Sequence, residues 1–248
     1  MVFFGLGNPT REYERTRHNL GFMVLDALAR KCRLRFRNRG SWQEACCRLG
    51  GNDCFLVKPM TYMNDSGRPV REFLSRHAGG RRKDAGKTQK RRRKDAGDDS
   101  RERSDSAVPF LVVFDDLALP FGRIRIRPSG SDGGHQGMAS IIAELNTTDF
   151  PRVRLGIGAP QVGMDAAMYV LSEFQPEEQR YLPDVIAAGR DALRVIAEQS
   201  LNAAMNEFNS RELISEGTVN KGPIADSRQP TADRGQSPTT QEAQENAH

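Results

Sequence analysis

Five polar residues of the kinds that catalyse hydrolysis stand just after apolar segments or beside glycine turns: Asn8, His18, Asn64, Asp115 and His135. A histidine near a carboxylate can act as a general base, because the carboxylate fixes the imidazole tautomer and stabilises the imidazolium that forms. Side-chain amides donate hydrogen bonds to a carbonyl oxygen or an oxyanion. No serine or cysteine stands in a GxSxG nucleophile motif. The set therefore favours direct attack by water over an acyl-enzyme route.

These residue types have two competing interpretations. His, Asn and Asp in loops are frequent caps and turn residues. A nucleotide-binding loop is the other alternative, because Gly5-Leu6-Gly7 ends the first apolar stretch. However, Thr10 occupies the third glycine position of the dinucleotide fingerprint, and no GxxxxGK[ST] motif exists. The turn is therefore interpreted as one wall of a hydrolytic site.

The cysteines and histidines predict neither a metal site nor a cofactor. The four cysteines contain no CxxC pair, and the four histidines lie far apart in the sequence. Zinc sites need clustered ligands at short spacings. We interpret the cysteines, whether buried or free, as reduced thiols: Cys32, Cys46, Cys47 and Cys54.

Apolar runs and periodicities predict strands that alternate with helices. The predicted strands are Val2–Leu6, Glu44–Leu49, Cys54–Val57, Pro109–Phe114, Gly122–Arg127 and Val153–Ile157. The predicted helices are Leu20–Cys32, Ser66–His77, Met138–Leu145, Met168–Leu171, Glu177–Glu198 and Leu201–Phe208. Asn19 is expected to cap the first of these helices. The order predicts a single α/β domain with a mixed, mostly parallel central sheet flanked by helices. Functional groups of such sheets collect at the carboxyl ends of strands.

One internal segment and the C-terminal part of the chain cannot contribute to a core. The segment at about 78–107 holds 11 Lys or Arg and 6 Asp or Glu, and repeats RRKDAG at Arg81 and Arg92. Such composition predicts a disordered insertion within a domain of residues 1–209, and residues 210–248 are predicted to form a disordered polar tail. The insertion is interpreted as a tolerated loop expansion. A basic arm that binds RNA non-specifically is the alternative.

Net charge and hydropathy narrow the function classes. The formal net charge of +5 is no larger than the excess within the insertion, so a basic pI does not by itself indicate a nucleic-acid-binding body. No apolar stretch approaches the ~20 residues that cross a bilayer. The apolar start, Met1–Leu6, is too short for the core of a signal peptide. We therefore expect a cytoplasmic protein that contacts no membrane.

Six motifs occur in the order found in bacterial peptidyl-tRNA hydrolases. They are GLGNPTREYERTRHNLGF, KPMTYMNDSG, VVFDDLALPFG, GGHQG, VRLGIGAP and VLSEFQPEE. The chain resembles that family from Met1 to about Asn209, apart from the insertion. The resemblance implies a monomeric α/β protein that cleaves the ester joining a peptide to the 3′ end of tRNA, with no cofactor or metal.

The resemblance also implies roles for single residues. His18 matches the family's catalytic histidine, which activates water, and Asp115 matches the carboxylate that orients it. Asn8 and Asn64 match the asparagines that bind the peptide and position the reacting carbonyl.

Other positions of the matching motifs are expected to contact the substrate: Tyr13, Met63, His135 and Gln136. Gln136 is a departure, because the family usually has asparagine there. Glutamine keeps the amide and adds a methylene, so its donor sits about one bond further out. If that amide positions water or substrate, we expect a lower catalytic efficiency.

Two arginines match basic positions that the family uses to clamp a terminal phosphate of the tRNA: Arg127 and Arg154. The planar guanidinium can grip phosphate oxygens bidentately. The glycine-rich loop Ser129–Gly137 is expected to form a mobile wall of the cleft. A non-catalytic RNA-binding relative that acts in RNA processing is the alternative function, although the complete set of matching polar residues favours the enzyme.

Overall fold

The computed structural model describes residues 1–78 and 109–214. The predicted insertion and most of the predicted tail therefore lie outside the described residues. Residues 210–214, which the sequence analysis assigned to the tail, belong to the described structure. Glu212 forms an antiparallel bridge with Arg123, and the Ile214 side chain lies against Gly122. Among the described residues, no helix combines the length and the apolar character that a membrane crossing requires.

Seven strands of the described residues form one mixed sheet. They are β1 (Val2–Gly5), β2 (Arg37–Asn38), β3 (Trp42–Leu49), β4 (Asn52–Pro59), β5 (Phe110–Asp116), β6 (Ile124–Arg127) and β7 (Arg152–Gly156). Their spatial order is β2-β3-β4-β1-β5-β7-β6. The central strands β4, β1, β5 and β7 run parallel, and antiparallel pairs extend the sheet at both edges. The predicted mixed α/β sheet is confirmed, with its parallel part confined to the centre.

Seven α-helices connect or follow these strands in the described ranges. They are α1 (Leu20–Lys31), α2 (Gly67–Ala78), α3 (Gln136–Leu145), α4 (Ala166–Val170), α5 (Pro176–Gln179), α6 (Leu182–Glu198) and α7 (Leu201–Phe208). The single helix predicted at Glu177–Glu198 is in fact two. Proline in the first turn of α6 explains the break, because its missing N–H is tolerated only at a helix start.

Helices cover both faces of the sheet. Successive strand residues point to opposite faces, so Phe3 and Val113 pack with α1 and α6 while Phe4 and Val112 pack with α2 and α3. Both faces of the central strands are thus buried, as their continuous apolar sequences predict. Polar groups concentrate instead at the strand ends.

The two strands predicted at Glu44–Leu49 and Cys54–Val57 form an antiparallel hairpin, β3–β4. Gly50 and Gly51 both have positive φ angles, 54° and 85°, which a two-residue turn of this kind requires. The short edge strand β2 was not predicted, because its Arg37-Asn38 dipeptide has no apolar residue.

Candidate active site

His18 and Asp115 meet at the carboxyl edge of the sheet, although they are far apart in sequence. His18 lies in the 3-10 turn Arg17–Asn19 that leads into α1, and Asp115 lies near the end of β5. Nδ1 of His18 is 3.0 and 2.9 Å from the two carboxylate oxygens of Asp115, and both side chains are buried. The carboxylate accepts the Nδ1 hydrogen, so Nε2 keeps its lone pair and can serve as a base.

His135 approaches the same carboxylate. Its Nε2 lies 3.1 Å from Oδ1 of Asp115, while its Nδ1 accepts the backbone N–H of Met138 at 3.2 Å and caps α3. These two bonds assign the proton to Nε2. The rings of His135 and His18 lie with centroids 4.8 Å apart. Asp115 is therefore shared by two imidazoles, one of which is also a helix cap.

The charge of Asp115 is maintained despite complete burial. Burial opposes ionisation, but the two neighbouring imidazoles and their hydrogen bonds outweigh it and hold the pKa of Asp115 well below its ordinary value. The carboxylate thus stays ionised across the physiological range, as a group that stabilises an imidazolium must.

The Asn8 amide has a fixed orientation. Its Oδ1 accepts the backbone N–H of Met63 at 2.8 Å, so Nδ2 faces away from that bond. Asn19 donates to the backbone oxygen of Asn8 at 2.9 Å and accepts its backbone N–H at 2.7 Å. Among the described residues, Asn8 Nδ2 has no hydrogen-bond partner and is left available to a ligand. Asn19 was expected to cap α1, but its side chain makes no capping bond and anchors the Asn8 loop instead.

The remaining expected substrate contacts differ in exposure. Asn64, in the 3-10 turn Met63–Asp65, and Gln136, the first residue of α3, are exposed, and within the described ranges their side chains form no hydrogen bond. Tyr13 is half-buried. Met63 is buried, and its sulfur lies so close to Gly137 that a Cβ there would approach it to 2.5 Å. Close packing at Gly137 holds the start of α3 against the Met63 side chain.

The two arginines expected to bind phosphate have different environments. Arg127 is exposed at the end of the edge strand β6. Arg154, on β7, is bound to the carboxylate of Asp116, the residue after Asp115. Arg125 lies directly opposite Arg154 in the β6–β7 pair, so the three arginines face the same side of the sheet.

Arg17, which the sequence analysis did not single out, is buried next to His18. Its guanidinium binds Glu178, the backbone oxygen of Glu173 and, at 2.8 Å, the hydroxyl of Ser172. It also lies 4.2 Å from the centroid of the Tyr169 ring. These contacts of Arg17 connect the His18 turn to a segment more than 150 residues away. No local sequence pattern links positions so distant.

His18, Asp115 and His135 also form a cluster with the composition of a metal site. Each offers one ligand atom, and these atoms lie within 4.8 Å of one another. The wide spacing of the histidines in the sequence predicts no metal site, but the fold brings two of them together. Two imidazoles and a carboxylate are a ligand set that divalent metals use. The absence of a metal therefore stays a prediction.

A buried histidine–carboxylate pair and an oriented amide at the carboxyl edge of an α/β sheet define a hydrolase-type site. The family model of peptidyl-tRNA hydrolase matches residues 2–79 and 105–216. The peptidyl-tRNA hydrolase of Chloroflexus aggregans is 43% identical over 209 residues, which are 84% of this chain and 98% of that protein. That of Aquifex aeolicus is 40% identical over 215 residues, 85% and 96% of the two chains.

A solved structure gives the same result. The crystal structure of peptidyl-tRNA hydrolase from Acinetobacter baumannii matches with a TM-score of 0.70 and 27% identity, covering 86% of this chain and 96% of that one. The chain belongs to the peptidyl-tRNA hydrolase family.

Proposed function

We propose that this protein hydrolyses the ester that joins a peptide to the 3′ end of tRNA, with water activated by His18. The single observation that carries the mechanism is the bond from His18 Nδ1 to the Asp115 carboxylate. It leaves Nε2 as the free base, and the Asn8 amide is an available donor that follows the neighbouring strand β1. The family membership supports the substrate.

The reaction proceeds through a tetrahedral intermediate. His18 Nε2 takes a proton from water while the oxygen attacks the ester carbonyl carbon. Asp115 stabilises the imidazolium, and Asn8 Nδ2 donates to the developing oxyanion. The bond to the ribose 3′ oxygen then breaks, and the imidazolium returns its proton to that oxygen. Free peptide and tRNA are the products.

An ester needs no stronger catalyst than this. Esters are more labile than amides, so a covalent nucleophile is unnecessary, and general-base help contributes roughly 10²–10⁴-fold. In this proposal Asn64, which is exposed in the 3-10 turn Met63–Asp65, binds the peptide. Arg127 and Arg154 bind a terminal phosphate, and Arg154 exchanges its contact with Asp116 for the phosphate or shares it.

The finer assignments belong to the same proposal. We infer that the enzyme acts as a monomer in the cytoplasm and requires no metal. The RNA-processing alternative has no support from the comparisons, because the relatives described above are all named peptidyl-tRNA hydrolase. Metal independence is tested by dialysis against a chelator. Activity retained after metal removal supports it, and loss restored by added Zn²⁺ would contradict it.

The catalytic assignment is tested with labelled N-blocked aminoacyl-tRNA. We expect the wild type to release the labelled acyl group and the His18→Ala variant to lose at least about 100-fold in kcat. His77→Ala is the matched control, because His77 stacks on Phe73 at the side of α2 and contacts no residue of the site. Equal losses in both variants, or tRNA binding without turnover by the wild type, would overturn the proposal.

A further inference from the structure

A run of basic residues precedes and forms the edge strand β2. Between Arg30 and Arg39 the chain has six basic and no acidic residues. Four of them alternate with other residues and form what we call the arginine stripe: Arg33, Arg35, Arg37 and Arg39. The interleaved Leu34 and Phe36 pack against the core, which turns the arginines outward, and all four are exposed.

The charge of the stripe is mostly uncompensated. Within the described ranges, Arg39 alone has an acidic partner, Glu44 at 2.8 Å, and the other three form no ion pair. Arg33 lies in the turn after α1, and the chain is a strand at Arg37. Alternate residues of a strand lie about 6.6 Å apart, so the guanidinium groups of neighbouring arginines in the stripe repel one another. Such an arrangement costs the isolated protein free energy, and an anionic partner would relieve it.

The stripe leads to the edge of the sheet that carries the site. Asn38 pairs with Gln43, and Gln43 pairs with Lys58 near the carboxyl end of β4. Ser41 accepts the backbone N–H of Met60 at 2.8 Å, where the chain turns toward Met63. The stripe therefore runs along the outer edge of the sheet and ends level with the wall of the cleft.

The stripe and the Arg127–Arg154 group lie at opposite ends of the strand order of the sheet. The strand order places β2 six positions from β6, which corresponds to about 29 Å at ~4.8 Å per strand. The stripe itself extends over at most about 20 Å. The two basic groups are therefore separate contacts and cannot grip one terminal phosphate together.

The chemistry of the stripe fits a phosphodiester backbone better than a membrane. Arginine binds phosphate oxygens through its planar fork. A bilayer contact also needs exposed apolar anchors, but the large exposed apolar side chains of the described residues lie elsewhere: Tyr62, Val162, Met164, Met168 and Leu171. A row of like charges whose apolar neighbours pack against the core is typical of backbone binding independent of sequence.

We propose that the arginine stripe is a second RNA-backbone site, distinct from the phosphate clamp on β6 and β7. The substrate tRNA beyond its 3′ end and a second RNA molecule offer the same phosphate chemistry. The inference rests on the proposed function only where it takes the substrate to be a tRNA. The net charge of the whole chain does not reveal the arginine stripe, because acidic residues elsewhere balance its charge.

The test is the salt dependence of binding to deacylated tRNA by the triple variant Arg33→Gln, Arg35→Gln, Arg37→Gln. Three lost phosphate contacts lower the log–log salt slope by about 2.7. The affinity ratio of wild type to variant therefore shrinks roughly 40-fold between 50 and 200 mM salt. The matched control is Arg68→Gln, Arg71→Gln, Arg76→Gln on α2, which removes the same charge from arginines that already have acidic partners.

Three further ligands separate the sources: an acceptor-stem minihelix, an unrelated RNA hairpin and phosphatidylserine vesicles. A reduced slope confined to full tRNA assigns the stripe to the substrate, and a reduced slope with the hairpin as well assigns it to RNA backbones in general. Equal slopes for variant and wild type on every RNA would overturn the proposal, as would a loss of vesicle binding alone. Because no turnover is measured, failed ester cleavage would leave this result standing.

Discussion

At the scale of single residues, both ring nitrogens of His135 are occupied by bonds within the protein. The carboxylate of Asp115 that His135 shares with His18 gives it a way to affect catalysis. His135 holds one carboxylate oxygen while His18 bonds to both. We therefore expect His135 to act as a positioning residue in addition to making the substrate contact that the resemblance implies. Its cap on α3 couples the carboxylate to the start of the helix that carries Gln136.

We expect His135→Phe to lower kcat about tenfold, because Asp115 loses a donor worth roughly 1.4 kcal/mol and turns away from His18. KM should change little. His135→Gln keeps an N–H donor and should recover part of kcat. Steady-state kinetics of both variants decide the matter. A rise in KM without a loss of kcat would show that His135 serves the substrate alone.

The depressed pKa of Asp115 predicts a pH-dependent stability. Because the folded state lowers this pKa below the unfolded value of about 4, the ionised carboxylate stabilises the fold above that pH. The contribution is lost as the pH falls below about 4 toward the folded pKa. Urea unfolding of wild type and Asp115→Asn at pH 3 to 5 should show their stability difference shrinking with acid. A difference that stays constant would contradict the assignment.

Gln136 offers a gain-of-function prediction. Its exposed side chain has no partner among the described residues, and its amide stands one methylene further out than an asparagine amide. We expect Gln136→Asn to raise kcat/KM about fivefold, or roughly 1 kcal/mol. The comparison variant is Gln136→Ala. If Ala and Asn give the same kcat/KM as the wild type, the amide at this position does not take part.

The chemistry of single residues was the most predictable part of the site. His18, Asn8 and Asp115 were singled out because polar residues of these types stand beside apolar segments or glycine turns, and the resemblance to peptidyl-tRNA hydrolases implied their roles. The arrangement around them could not be predicted. That His135 shares the carboxylate, and that Asn19 anchors Asn8 instead of capping a helix, depends on side-chain directions fixed only by tertiary packing.

At the scale of elements, the Arg17–Glu178 pair joins the His18 turn to the segment before α6. Burial raises the pKa of Glu178 despite the attraction of Arg17, so desolvation outweighs the ion pair. We therefore expect the pair to fix the position of the turn more than to stabilise the fold.

Breaking this pair and replacing it should have different effects. Glu178→Ala leaves a buried guanidinium with fewer partners and should lower the free energy of unfolding by about 3 kcal/mol, with a loss of kcat. Arg17→Met combined with Glu178→Leu removes both charges and should recover most of the stability but not kcat. Urea titrations and kinetics are the measurements. Recovery of kcat in the double variant would mean that the Arg17–Glu178 pair does not position His18.

Strong apolar periodicity explains which elements were predictable. The helix at Leu201–Phe208 and the strands around β1, β5 and β7 were found within one or two residues of their observed bounds. The break between α5 and α6 was missed because Pro183, which marks the start of the second helix, was not interpreted as a boundary. Strand β2 was missed because its stability comes from pairing with β3, a contact that its own two residues do not reveal.

At the scale of the whole molecule, the described residues contain every group of the proposed mechanism. We therefore expect a variant in which residues 79–108 are replaced by about ten Gly and Ser residues to retain kcat. Shortening the loop about threefold should raise stability by roughly 1 kcal/mol through lower closure entropy. Thermal unfolding and the ester assay are the measurements. An unchanged salt slope for tRNA would support the loop-expansion interpretation, and a reduced slope would favour the basic arm.

The side-chain amide of Asn209 has a consequence for how copies of the molecule meet. Its Oδ1 accepts the backbone N–H of Ile126 at 2.7 Å, and its Nδ2 donates to the backbone oxygen of Ile126 at 3.2 Å. It thus occupies the groups on β6 that an incoming strand would use. The opposite edge is a two-residue strand beside like charges. Among the described residues, one edge of the sheet is thus occupied at Ile126 and the other carries like charges, so we expect both edges to disfavour pairing with a second copy of the molecule.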